Sequence, residues 1–134
     1  MSEYVAGTNR TPAPGQRWSN LESFGSGQLA GTAGTLYTAP SAASTSGAVT
    51  SLAILRDMWL CNTDSVARTL TIYIVNSGGT AGADNAIISA TSLDAGESVH
   101  YSGLATLIPA GGTIQGLASS ASKITYRFTG EVIR

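Results

Sequence analysis

Arg68-Thr69-Leu70-Thr71-Ile72-Tyr73-Ile74-Val75 alternates without a break. Leu70, Ile72 and Ile74 share one side of an extended chain, and Thr69, Thr71 and Tyr73 share the other. That is the period of two of an antiparallel strand with one buried face. Asn62-Thr63-Asp64-Ser65 precedes it as a turn, and residues 76–85, rich in Gly, Asn and Asp, can only be a loop. The strand, turn, strand cadence set here extends both ways.

Downstream, residues 86–93 read as a strand ended by Asp94-Ala95-Gly96-Glu97. Residues 98–102 are short, with Val99 and Tyr101 on one face and His100 on the other. Leu104, Leu107 and Ile108 lead into the turn Pro109-Ala110-Gly111-Gly112, and residues 113–117 follow as a strand. In the last strand, 123–133, Ile124, Tyr126 and Phe128 alternate with Thr125, Arg127 and Thr129, and Gly130 predicts a bulge. Upstream, residues 35–38 form a short strand stopped by Pro40, and residues 41–47 a small-residue loop. Residues 48–61 are the longest candidate. Leu52, Ile54, Met58 and Leu60 take one parity; Ala53, Leu55, Trp59 and Cys61 take the other. Apolar residues on both faces predict a central strand or one whose outer face meets a partner. Arg56-Asp57 interrupts both faces and predicts a bulge or break.

No run of ten residues keeps helical spacing, which excludes βαβ nucleotide folds. The expected fold is all-β: an antiparallel β-sandwich or jelly roll of seven to eight short strands over residues 32–134. Residues 1–31 read as an extended N-terminal arm, with Pro12, Pro14 and Gly15, then Gly25, Gly27 and Gly31, and no lasting period. The arm nevertheless carries Trp18 and Phe24, which a solvated linker would not use. It is expected to dock on its own domain or on a neighbouring subunit.

Composition narrows function. Seven Lys/Arg stand against eight Asp/Glu, a net charge of -1, so no basic excess exists to bind nucleic acid. Ser, Thr, Ala and Gly make up 68 of 134 residues. Such residues suit close strands and tight turns but fill no large core, so stability is expected to gain from assembly. Met1-Ser2-Glu3-Tyr4 has neither the charged nor the apolar region of a secretory signal, and no segment approaches the ~18 apolar residues of a membrane span. The expectation is a protein made soluble in a cytoplasm, with no membrane partner.

Candidate chemistry is sparse. The lone Cys61 excludes an internal disulfide or a Cys-based zinc cluster and reads as a buried small hydrophobe. His100 is the only histidine, so no His-rich metal site exists, and a triad would have to be gathered from distant segments. Asp94 and Glu97 bracket a turn, where acids hydrogen-bond their own backbone. Gly78-Gly79 and Gly111-Gly112 lack the helix that a phosphate loop needs. The expectation is a non-enzymatic protein with no catalytic residues, no metal and no cofactor. The candidate residues are interface anchors: Trp18, Phe24, Trp59 and Tyr73.

Leu36-Tyr37-Thr38-Ala39-Pro40, then Cys61-Asn62-Thr63 running through Ala67 to Val75, resembles the small β-sandwich structural proteins of tailed bacteriophages. Ile108-Pro109-Ala110-Gly111-Gly112-Thr113-Ile114 and Ile124-Thr125-Tyr126-Arg127-Phe128-Thr129-Gly130 continue the resemblance, which covers residues 32–133 and not the arm. Residues 54–59 depart from it by lengthening the second strand. The resemblance implies a virion location after assembly in the host cytoplasm. It also implies a capsid decoration or cement role, with self-association often around a three-fold axis, so a trimer is the first expectation. Other partners would be the major capsid or neck and tail subunits, reached by arm exchange. The alternative it implies is a neck, tail or fibre module that binds host-surface glycan, for which Tyr73 or Tyr101 would be the platform.

Overall fold

The computed structural model describes residues 19–41 and 52–133. The chain forms β1 (Ser19–Gln28), β2 (Gly34–Thr38), β3 (Leu52–Asn62), β4 (Arg68–Val75), β5 (Ala86–Leu93), β6 (Ser98–Tyr101), β7 (Thr106–Ile108), β8 (Thr113–Ala118) and β9 (Ile124–Ile133). One short 3-10 turn, Ala83–Asn85, closes the loop before β5. Two antiparallel sheets face each other. The first has the order β1-β9-β3, with β6 and β7 pairing successive parts of β3 along its far edge; the second has the order β2-β8-β4-β5.

The pairing is nested: β1 with β9, β2 with β8, β3 with β6 and β7, and β4 with β5. That is the connectivity of a jelly roll, in which a long hairpin is wound so that its paired strands alternate between two sheets. β4 and β5 occupy the bounds expected of them, and the inward residues of β9 are Ile124, Tyr126, Phe128 and Val132. Between the sheets lie Leu29, Leu55, Leu60, Leu70, Ile72, Ile114 and Phe128, all at most 1% exposed. Each such side chain contributes about 1.5–3 kcal/mol by leaving water.

Three expectations need correction. The first concerns the arm: residues 19–28 of the expected 1–31 segment are strand β1, paired with β9 from Ser19↔Ile133 to Gln28↔Thr125. β1 shows no alternation because its only buried side chain is Phe24, inserted as an extra residue between the pairs Ser23↔Thr129 and Gly25↔Phe128. Trp18 and residues 1–17 lie outside the described residues, while Leu29, also in the expected arm, is in the core.

The second concerns Phe24, which is 0% exposed and stacks on Tyr37 at 4.0 Å, so its side chain belongs to this chain's own core and is not a surface anchor. Gly130 makes the room, since a Cβ there would lie 2.0 Å from the Phe24 ring. The predicted bulge at Gly130 is thus displaced onto both neighbours of β9, at Phe24 in β1 and at Arg56 in β3.

The third concerns β3. The predicted interruption at Arg56-Asp57 is a register shift between Leu55 and Asp57. One extra residue flips the parity, so Ala53 and Leu55, then Met58 and Leu60, face the core. The unbroken parities of the sequence reading are therefore exchanged halfway along the strand.

Candidate functional site

The outer face of the five-stranded sheet follows from that bulge. Leu52 and Ile54 point outward before it, Trp59 and Cys61 after it. The registers place Leu21, Glu131, Ile54 and Leu107 in one row across β1, β9, β3 and β7, with Ser19, Ile133 and Leu52 in the row beside it. Leu21 is 74% exposed and Leu107 52%, while Ile54 and Ile133 are half-buried. The charge in this region is internally matched. Arg56 Nη2 donates to Glu131 Oε1 at 2.8 Å, Arg56 Nη1 donates to the Leu104 carbonyl at 3.2 Å, and the Ser19 hydroxyl donates to Glu131 Oε2. The Ser19 hydroxyl, then the Arg56 guanidinium, hold the Glu131 carboxyl below the usual glutamate range.

Beyond the bulge, the row is Ser26, Arg127, Trp59 and His100. Trp59 is 48% exposed, although Met58 and Leu60 on either side are buried. His100 stacks on it with ring centroids 3.8 Å apart and planes 2° from parallel. His100 Nε2 lies 3.1 Å from Asp57 Oδ1, a contact that fixes the imidazole against the indole. An open groove of about 310 Å³ is lined by Trp59, Cys61, Ser98, Thr125 and Arg127. Thr125 and Arg127 come to it from β9 and Ser98 from β6, with Trp59 and Cys61 of β3 between them.

A second groove, about 600 Å³, lies between the open β5 and β7 edges, with Ile74, Ile87, Leu107, Pro109, Asp84 and Asn85 among its walls.

Among the expected anchors, Trp59 lies on this outer face, while Tyr73 lies on the outer face of the other sheet, half-buried between Gln115 and Ala86. The two do not come together. Tyr101 is half-buried and packs against the core cluster. Cys61, expected as a buried hydrophobe, is half-buried on the outer face because of the parity flip. Asp94 and Glu97 do close their own turn: the Asp94 N–H donates to Glu97 Oε1 at 2.7 Å and the Glu97 N–H to the Asp94 carbonyl at 3.0 Å. Among the described residues, no three of His, Cys, Asp and Glu gather as a metal site.

Sequence reasoning missed Asn62. It is 0% exposed, and its Nδ2 reaches the carbonyls of Val66 (2.9 Å), Leu93 (3.0 Å) and Asp94 (3.1 Å), while Oδ1 accepts from the Asp64 N–H at 2.9 Å. This one amide ties the end of β3 to the turn after it and to the end of β5. Arg68 then donates to Asp64 Oδ2 at 2.7 Å, and that hydrogen bond, with the Ser65 N–H, lowers the Asp64 carboxyl below its ordinary value.

No protein-family model matches the chain, and no curated protein matches it. Solved structures that match include infectious bursal disease virus Gx strain, at 17% identity and a TM-score of 0.45 over 88% of this chain and 32% of that one. The infectious bursal disease virus VP2 subviral particle matches at 17% identity and a TM-score of 0.45, over 89% of this chain and 32% of the other. The chain spans about a third of the length of these proteins.

Proposed function

We propose that this chain is a non-enzymatic structural subunit of a virion, a decoration or cement protein that binds copies of itself and neighbouring shell subunits. The observation that carries the reading is the apolar end of the outer face. Leu21 and Leu107 stand exposed there beside Ile54 and Ile133, while the adjacent Arg56 and Glu131 neutralise each other. An apolar patch rimmed by paired charge is what an association surface needs, because burying it strands no ion. The jelly-roll winding, which capsid and lectin domains share, and the resemblance to phage structural proteins agree with this reading. Residues 1–18 are proposed to reach a neighbour, with Trp18 as an anchor, and a trimer is the proposed state.

The test is absolute mass by light scattering after size exclusion, on the full chain, on a Leu21→Ser/Leu107→Ser double variant, and on a chain beginning at Ser19. An oligomer reduced to monomer by the double variant supports the apolar end as the contact. Loss of mass only on removing residues 1–18 assigns self-association to the arm. A full chain that is monomeric at every concentration and does not bind to particles sinks the proposal. A cut at Gly31 is unsuitable, since it removes β1 and Phe24.

A further inference from the structure

We infer that the groove beside Trp59 is a binding site for an acidic sugar, a pyranose carrying a carboxylate. This goes beyond the structural role and does not depend on it, because the groove lies past the bulge from the apolar end.

Four observations converge on one ligand chemistry. The indole of Trp59 is held rigid by its stack on His100, and Asp57 holds the imidazole in turn. Trp59, 48% exposed, forms one wall of the groove. A large flat apolar ring, prepositioned and exposed, suits the C–H face of a pyranose ring. Arg127, from the strand next to Trp59, is exposed and has no acidic partner among the described residues, whereas Arg56 and Arg68 are both paired. A free guanidinium beside an aromatic wall calls for an anion, and a carboxylate matches its fork of donors.

The Ser98 and Thr125 hydroxyls line the same groove without side-chain partners among the described residues, so they are available to ring hydroxyls. A planar aromatic acid would stack equally well but leave both of these groups idle. The volume, about 310 Å³, lies at the small end of the ~300–1,000 Å³ of ligand sites and fits one sugar ring or the end of a chain. Charge argues against the chain's own N-terminal segment as occupant: within residues 1–18, Arg10 and Arg17 outnumber Glu3.

The experiment uses the full-length protein and two probes that differ only at C6: methyl β-glucuronide, with a carboxylate, and methyl β-glucoside, without one. Saturation-transfer NMR should show saturable contact of the glucuronide ring protons with the protein and weaker contact of the glucoside. Arg127→Gln should weaken glucuronide binding about tenfold, the loss of one charged hydrogen-bonding partner, and leave the glucoside unchanged. Trp59→Ala should abolish both.

In the unaltered protein, Cys61 on the groove wall should react more slowly with iodoacetamide when glucuronide is saturating, a readout that needs no variant. Equal affinity for the two sugars, no saturable contact, or an Arg127→Gln protein that binds glucuronide as before would each overturn the inference. So would Cys61 protection that comes from raising protein concentration and not from sugar, since that assigns the groove to a second copy of the chain.

Discussion

The two outer faces of this sandwich are built from the same kind of strand and end in different chemistry. On the four-stranded sheet, β4 and β8 present Thr71, Tyr73, Thr113 and Gln115, three of which hydrogen-bond locally, and Ile87 of β5 is the large apolar residue left exposed. Gln115 Nε2 donates to the Thr113 hydroxyl at 3.1 Å, and the Thr71 hydroxyl accepts the Ala90 N–H at 3.0 Å. Val75, at the end of β4, is only 1% exposed, with Gly79 of the following loop closed against its side chain. On the five-stranded sheet, Leu21, Trp59 and Leu107 stand open, and the Arg56–Glu131 ion pair and the Asp57–His100 contact lie among them. The first face closes most of its polar groups on itself; the second leaves three large apolar side chains open. The bulge at Arg56 accounts for part of that contrast, because without the flip Met58 and Leu60 would face outward and Trp59 inward.

Both surfaces belong to one folded body, and its interior carries the largest expected effect. Phe24→Ala empties a site that spans the sheets through its stack on Tyr37 and should cost about 3–5 kcal/mol in chemical denaturation. Far-UV circular dichroism and tryptophan fluorescence should report the same lowered midpoint; separate midpoints would mean the sheets are not one cooperative unit.

Asn62→Leu comes next. It leaves the carbonyls of Val66, Leu93 and Asp94 and the Asp64 N–H short of a partner, at about 1–3 kcal/mol. Full stability in this variant would mean that the amide does not tie the two sheets' ends together.

A smaller effect belongs to the five-stranded face alone. The Glu131 carboxyl is held low by Ser19 and Arg56, so its contribution is complete above the ordinary glutamate range and disappears as pH falls through the lowered folded value. Glu131→Gln should therefore lower stability at neutral pH and flatten the acid limb of a denaturation midpoint series. An unchanged limb would show that the contact is idle in solution.

The smallest effects on stability belong to the exposed side chains. Leu21→Ser and Tyr73→Ser, one from each face, should each shift stability by no more than about 0.5 kcal/mol. Leu21→Ser should nonetheless weaken self-association, and Tyr73→Ser should leave the solution mass unchanged. Equal behaviour of the two variants would erase the distinction between the faces.

The same contrast explains what could be read in advance. β4 declares itself because its outer face carries polar or amphipathic residues, so Thr71 and Tyr73 contrast with Leu70 and Ile72. β3 is apolar on both sides, and no pattern reveals at which residue an inserted Arg56 turns Cys61 outward. β1 hides for a different reason: its pairing with β9 is backbone to backbone, and its single inward residue, Phe24, sits over a glycine more than a hundred positions away. The Trp59 groove needs side chains from β3, β6 and β9, whose adjacency is a property of topology and not of any local stretch. Asn62 was visible as a turn residue, but its acceptors at Leu93 and Asp94 become neighbours only when the chain is wound.

The nesting of first strand with last also bears on how the molecule is made. β9 lies between β1 and β3, so neither finds its main partner until residues 124–133 have been made. Closure of the larger sheet is therefore slow for its size, because its pairings are distant in sequence. A chain cut before residue 124 lacks the middle of its larger sheet, and with it the Arg127 and Thr125 side of the Trp59 groove.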